Sequence, residues 1–170
     1  IFLFMSTDNI TIFDFNENSS LTKWRIVNDS VMGGISTSSI KINEQGNGVF
    51  SGSVSTKNNG GFASVQYSFE KIKTKVSDVV QIRLKGDGKN YQFRVKANKN
   101  QKYSYITTFS TSGEWQTIQI ELSELYPSFR GRKLDLPNFK HSTLEEITFL
   151  IANKNNESFE LQLDKVELVQ

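Results

Sequence analysis

Residues 79–96 read VVQIRLKGDGKNYQFRVK, and this stretch decides the fold. In 79–85, Val80, Ile82 and Leu84 alternate with Gln81, Arg83 and Lys85; in 91–96, Tyr91, Phe93 and Val95 alternate with Gln92, Arg94 and Lys96. Side chains of an extended strand point to opposite faces in turn, so each half reads as a strand with one apolar and one polar face. Gly86-Asp87-Gly88 lies between the halves. Glycine reaches positive φ freely, so the pair is expected to close as a hairpin with a tight turn.

The same alternation spreads outward. Runs at 10–15, 38–43, 48–55, 62–69, 102–109, 115–122, 146–152 and 158–168 bring the expected total to about ten strands, each bounded by Gly, Asn, Asp or Ser. Helical signal is scarce. STLEE at 142–146 resembles a capping box, but a β-rich run follows it, so at most one short turn is expected. The longest irregular segment, 124–137, carries both prolines, Pro127 and Pro137. Many short antiparallel strands at this spacing predict an all-β fold: a two-sheet antiparallel β-sandwich of the jelly-roll kind, forming one domain over residues 1–170.

Composition narrows the chemistry. The 170 residues include no cysteine and one histidine, His141, which excludes thiol nucleophiles, thiolate zinc, iron–sulfur clusters, disulfides and multi-histidine metal sites. A chain of this length buries roughly 70% of its unfolded surface and needs no staple. No apolar run approaches the roughly 18 residues of a membrane helix, so no direct membrane insertion is expected. The apolar start IFLFMS (1–6) reads as the tail of a removed leader, a first strand or simply the edge of the sequence.

The net charge of +2 hides a local excess: residues 71–102 hold eight lysines and two arginines against Asp78 and Asp87. Arg83, Lys85, Arg94 and Lys96 are expected to line one outer face, with Lys71, Lys73 and Lys75 just before them. A solvated face of a half-buried sheet accounts for this stripe, and lysine also blunts edge pairing. Tyr91 and Phe93 alternate to the opposite side, so no aromatics interleave for base stacking, and no nucleic-acid partner is expected.

Catalytic signatures are weak. His141 sits in a polar stretch with no G-x-S-x-G context. Paired carboxylates meet in space rather than in sequence, so the 18 acids mark no site by themselves. Asp14, Asp29 and Asp164 are the candidate hard-metal ligands, but no calcium-loop pattern surrounds them and turn formation explains them. Lys85-Gly-Asp-Gly-Lys89 lacks the spacing of a phosphate loop. A domain that is no enzyme and holds no cofactor is the expectation.

The most distinctive segments are two loops, WRIVNDSVMGGIS (24–36) and NNGGF (58–62). Both combine capping-type polar residues with a glycine pair and together form a candidate binding edge. Trp115 leads straight into a strand and reads as packing. Trp24 stands before the first loop; exposed, it would mark a sugar-stacking platform, and buried, it would count against one.

Seven motifs in order carry a resemblance. They are W-x3-ND-x-VMGG-x-S (24–36), G-x-F-x-G-x-VS (48–55), NNGGFAS (58–64), KGDGK-x-Y-x-F (85–93), the lone Trp115, P-x-FRG (127–131) and F-x-L-x-LD-x-V (159–166). Over about residues 12–168 the chain resembles the complex I intermediate-associated protein 30 family, whose human member is a mitochondrial assembly factor for respiratory complex I. The resemblance implies a galactose-binding-domain-like β-sandwich and, from the eukaryotic members, a non-enzymatic chaperone role with no cofactor. The chain departs from the mitochondrial members in showing no Arg-rich transit segment and looks like a compact bacterial member; the absence of cysteine is compatible with cytoplasm or periplasm, so the compartment of this soluble protein stays open, with the bacterial cytoplasm slightly favoured.

The expected function is therefore a non-catalytic, assembly-factor-like domain that binds protein partners, respiratory-complex subunits or intermediates among them. The expected contact edge comprises Trp24, Asn28, Asp29, Met32, Gly33, Gly34 and Ser36 from the first loop. Asn58, Asn59, Gly60, Gly61 and Phe62 join from the second, with Asp87 and Arg130 as polar contributors. The alternative is a carbohydrate-binding-module-like sandwich that takes a sugar ligand at the same loop edge.

Overall fold

The structure, a computed structural model, describes residues 9–170; the apolar start at 1–6 lies outside the described residues. The described chain forms thirteen strands. They are β1 (Asn9–Asp14), β2 (Trp24–Ile26), β3 (Thr37–Ile42), β4 (Gly48–Val54), β5 (Ala63–Lys73), β6 (Val79–Lys85) and β7 (Asn90–Lys96). The remainder are β8 (Ser104–Ser110), β9 (Trp115–Glu121), β10 (Tyr126–Phe129), β11 (Arg132–Lys133), β12 (Thr143–Ile151) and β13 (Glu157–Val169). One sheet runs β3-β4-β13-β6-β9, with β1 also paired to β13; the other runs β11-β10-β8-β7-β12-β5-β2, and every pairing is antiparallel.

The predicted all-β sandwich is the observed one, and all ten expected strands are present. The three additional strands, β2, β10 and β11, are two to four residues long and too short to show a period. β10 and β11 fall inside the segment read as irregular. STLEE forms no turn, since β12 begins at Thr143.

The expected hairpin at 86–88 does not form. β6 pairs with β13 and β9, whereas β7 pairs with β12 and β8 in the other sheet. Period-two alternation shows that each strand has an apolar face but not from which side that face reaches the core. Here the two strands bury their apolar faces against each other from opposite sheets: Val80, Ile82 and Leu84 against Tyr91, Phe93 and Val95, all at most 1% exposed. Asp87 fixes the crossing. Its carboxylate accepts from Glu160 N–H of β13 at 2.8 Å and from the Tyr91 hydroxyl of β7 at 2.9 Å. The basic stripe is divided as a result. Arg83 and Lys85 lie outside one sheet, Arg94 and Lys96 outside the other, about 10 Å of packed side chains apart.

Between the sheets Phe50, Phe159, Leu161 and Leu163 meet Val65, Phe93, Ile147, Phe149 and Ile151, all fully or nearly buried. Burying each such side chain contributes about 1.5–3 kcal/mol. The register places five sheet-to-sheet connections at one end of the sandwich: 27–36, 55–62, 86–89, 111–114 and 152–156. That crossing end carries both distinctive loops.

Candidate functional site

Asp29 organises the crossing end. It opens a 3-10 turn, Asp29–Met32, that Gly33 ends at φ 85°. Its side chain points inward and the residue is 0% exposed. Four donors converge on the carboxylate: Ser36 N–H at 2.9 Å on Oδ1, and Ser36 Oγ at 2.5 Å, Gly61 N–H at 2.7 Å and Phe62 N–H at 3.3 Å on Oδ2. Burial alone would raise this carboxyl's pKa, but the donors from Gly61, Ser36 and Phe62 outweigh it and hold the group below its ordinary 3.8. The glycines around it are there for space. A Cβ on Gly34 would overlap the Asp29 carboxyl carbon, and one on Gly60 would meet its Oδ2.

The two loops predicted to form one edge are thus brought together, with Asp29 as the pin that joins them. Asn28 is also used internally, accepting from Ser38 Oγ at 2.7 Å and donating to the Ser36 carbonyl at 3.4 Å. Asn58 and Asn59 are exposed and left-handed, at φ 58° and 59°, a conformation that asparagine tolerates. Gly61 and Phe62 are half-buried and Ser36 is buried. The large side chains that the loop presents to solvent are apolar: Val31 is 72% exposed, Met32 63% and Ile35 53%. Val31 and Ile35 were missed in the sequence. The signal was the V-M-G-G-I spelling, in which the inward Asp29 and Gly34 leave the larger residues outside.

Three candidates play other parts. Trp24 is buried, stacking on Tyr67 at 4.9 Å and meeting Phe13 edge-on at 5.3 Å. It is a core residue and offers no platform for a sugar ring. Asp87 shares the crossing end but is consumed by the β6–β7 link described above. Arg130 is on the wrong side. β10 runs from Tyr126 opposite Ile106 to Ser128 opposite Ser104, away from the crossing end, so the β10–β11 turn holds Arg130 at the opposite end. There it is exposed and packs over Phe129 at 5.1 Å.

The outer face of the seven-stranded sheet holds a second arrangement that the sequence did not disclose. Strand pairing aligns Arg25, Gln66, Thr148, Arg94, Ile106 and Tyr126 in one row across six strands. Thr148 and Ile106 point outward yet are only 5% exposed, because longer side chains stand around them, so the row has a floor. Both guanidinium groups are aimed by glutamine carbonyls. Arg25 Nη2 donates to Gln66 Oε1 at 2.8 Å, and Arg94 donates to Gln92 Oε1 from Nε at 3.0 Å and Nη2 at 2.7 Å. Burial pulls the Arg94 pKa below its ordinary value, with Tyr126 opposing the shift. A groove of about 270 Å³ opens beside Arg25, lined by Thr22, Lys23, Gln66 and Ser68.

His141 is half-buried rather than free on the surface, with Nε2 2.7 Å from the Tyr105 hydroxyl. Burial pushes that Tyr105 hydroxyl up to about 12. Among the described residues no three His, Asp or Glu side chains converge to hold a metal ion. No helix among them is long and apolar enough to cross a membrane.

The two-sheet antiparallel sandwich, its connections gathered at one end, has the galactose-binding-like jelly-roll fold. In keeping with that, a solved family 11 carbohydrate-binding module from Clostridium thermocellum, in complex with a β-1,3-1,4-mixed-linked tetrasaccharide, matches 95% of this chain and 95% of its own at TM-score 0.70 and 16% identity. By sequence the chain belongs to the Complex I intermediate-associated protein 30 (CIA30) family, whose profile matches residues 13–163. The mitochondrial protein of that name from Drosophila melanogaster is 23% identical over 157 residues, 79% of this chain and 53% of its own length. The Mus musculus protein is 23% identical over 176 residues, 90% of this chain and 54% of its own. The chain spans about half the length of these relatives.

Proposed function

We propose that this domain is a non-catalytic binding module that captures a protein partner through the tip formed by Val31, Met32 and Ile35. The observation that carries the reading is the contrast within one loop: three large apolar side chains are exposed while the Asp29 carboxylate beneath them is fully buried and bonded. An apolar tip on a pinned loop loses little conformational entropy on binding, and methionine adapts to irregular partner surfaces. Membership of the family supports respiratory-complex subunits or assembly intermediates as the partner. Affinity capture from detergent-solubilised membranes tests this. The wild-type domain should enrich respiratory-complex subunits, and the Val31→Asp/Met32→Asp variant should lose them at an unchanged melting temperature. Equal enrichment by both proteins, or none by either, contradicts the reading.

A second reading, carbohydrate binding, is favoured by the polar row on the seven-stranded sheet together with the likeness to a carbohydrate-binding module. The buried Trp24 removes the loop-edge platform that an exposed Trp24 would have offered, so this reading rests on the sheet face alone. Retention of the domain on a glycan array, lost in Arg94→Gln, is the expected result; no retention on any glycan contradicts it.

A further inference from the structure

We propose that the row Arg25–Gln66–Thr148–Arg94 on the outer face of the seven-stranded sheet binds an acidic oligosaccharide, with the ring carboxylates of uronate residues held by Arg94 and Arg25. The proposal rests on the carbohydrate reading and names the ligand class. Three observations favour an anion. Arg94 is half-buried with no carboxylate partner among the described residues, its charge met only by the Gln92 carbonyl. Arg25 is likewise met only by the Gln66 carbonyl. The row itself contains no acidic residue. In the adjoining row Ser68–Glu146–Lys96, Glu146 is committed to Lys96 at 3.8 Å and to the Ser68 hydroxyl at 3.1 Å. Glu70 and Glu145 lie further along, where the β5–β12 pairing is irregular.

A desolvated cation without a counter-charge is costly to keep, and an anionic ligand relieves that cost. The guanidinium fork matches a carboxylate with two parallel hydrogen bonds, and the glutamine carbonyls leave N–H groups of each fork free to make them. The geometry favours a glycan over an acidic peptide. The row runs across the strands, offering one hydrogen-bonding side chain every 4.7–4.9 Å or so, about 14 Å from Arg25 to Arg94. A sugar chain presents hydroxyls on every ring at comparable intervals. An extended peptide returns a side chain to the same face only every ~6.6 Å and gains most from an open strand edge, which this row does not use.

Titration calorimetry of the intact domain with oligomers of galacturonate, glucuronate and mannuronate, beside a neutral mixed-linkage β-glucan oligosaccharide, tests the proposal. At least one oligouronate should bind, weaken as salt rises, and lose about tenfold in affinity in Arg94→Gln and several-fold in Arg25→Gln. Both variants should melt as the wild type does, and Val31→Asp/Met32→Asp should bind the oligouronate normally. Binding of the neutral glucan alone, or uronate binding indifferent to Arg94, overturns the acidic assignment while leaving the carbohydrate reading standing. Binding of no glycan overturns both.

Discussion

The crossing end and the outer face of the seven-stranded sheet are opposites in how sequence maps to role. At the crossing end the most distinctive residues, Asp29, Gly34, Ser36, Gly60 and Gly61, face one another and are spent on holding two loops together. On the sheet face, Arg25, Gln66, Thr148 and Arg94 look like ordinary outward strand positions, yet they align into one surface. Distinctive spelling marks where the backbone has a demanding job. It does not by itself mark where a ligand sits.

The largest effect should come from the pin. Asp29→Ala leaves the Ser36, Gly61 and Phe62 amides without their acceptor, and hydrogen bonds to a charged group are worth about 1.5–3 kcal/mol each. A loss of roughly 3 kcal/mol or more is expected, read as a fall near 10 °C in Tm at about 2–4 °C per kcal/mol for a domain of this size. Next come the close-packed glycines. Gly34→Ala and Gly60→Ala force a methyl into the Asp29 carboxylate and should each cost about 1–3 kcal/mol in urea unfolding.

Acid should narrow the comparison. Because the folded Asp29 carboxyl is held below 3.8, its contribution is complete above the unfolded value and lost as pH falls through the lower folded one. The Tm gap between wild type and Asp29→Asn should therefore be full at pH 7 and shrink below about pH 4. A gap that stays constant to pH 2 would detach the pin from its charge. The smallest stability effects belong to the displayed residues. Met32→Asp and Arg94→Gln should each leave unfolding free energy within about 0.5 kcal/mol of wild type while altering capture and glycan binding respectively. A large loss of stability in either would move that residue from display to structure.

The sequence disclosed the fold well because period two is a local signal that most of the ten longer strands carry; β12, buried along nearly its whole length, is the exception. It failed at Gly86-Asp87-Gly88, where a hairpin and a sheet-to-sheet crossing need the same turn residues and the same alternation. The difference lies in what Asp87 bonds, and its partner Glu160 is 73 positions away. The short strands β2, β10 and β11 owe their existence to neighbours rather than to their own pattern. Of the candidate edge, the two loops and Met32 stood out in the sequence, and Asp29 joins the two loops in the structure. The burial of Asp29 and Trp24 was not, because a turn-forming Asp and an inward Asp are spelt alike. Arg130 was misplaced, since nothing local fixes the end of the sandwich at which the β10–β11 turn lies. The Arg25–Arg94 row needed the order of six strands, which no single segment contains.

One measurement bears most directly on the claim that the loop motif is a single structural unit: a double-mutant cycle between Gly34→Ala and Asp29→Ala, followed by urea unfolding. If Gly34 is there to make room for the Asp29 carboxyl, Gly34→Ala should cost about 2 kcal/mol in the wild type and clearly less once Asp29 is alanine, where only the contact with the Cβ of residue 29 remains. Gly33→Ala supplies the control. It carries a left-handed φ of 85° with nothing within 4 Å of a Cβ, so its cost should be the same in both backgrounds. Additive costs for Gly34 and Asp29 would contradict the pinned-loop account.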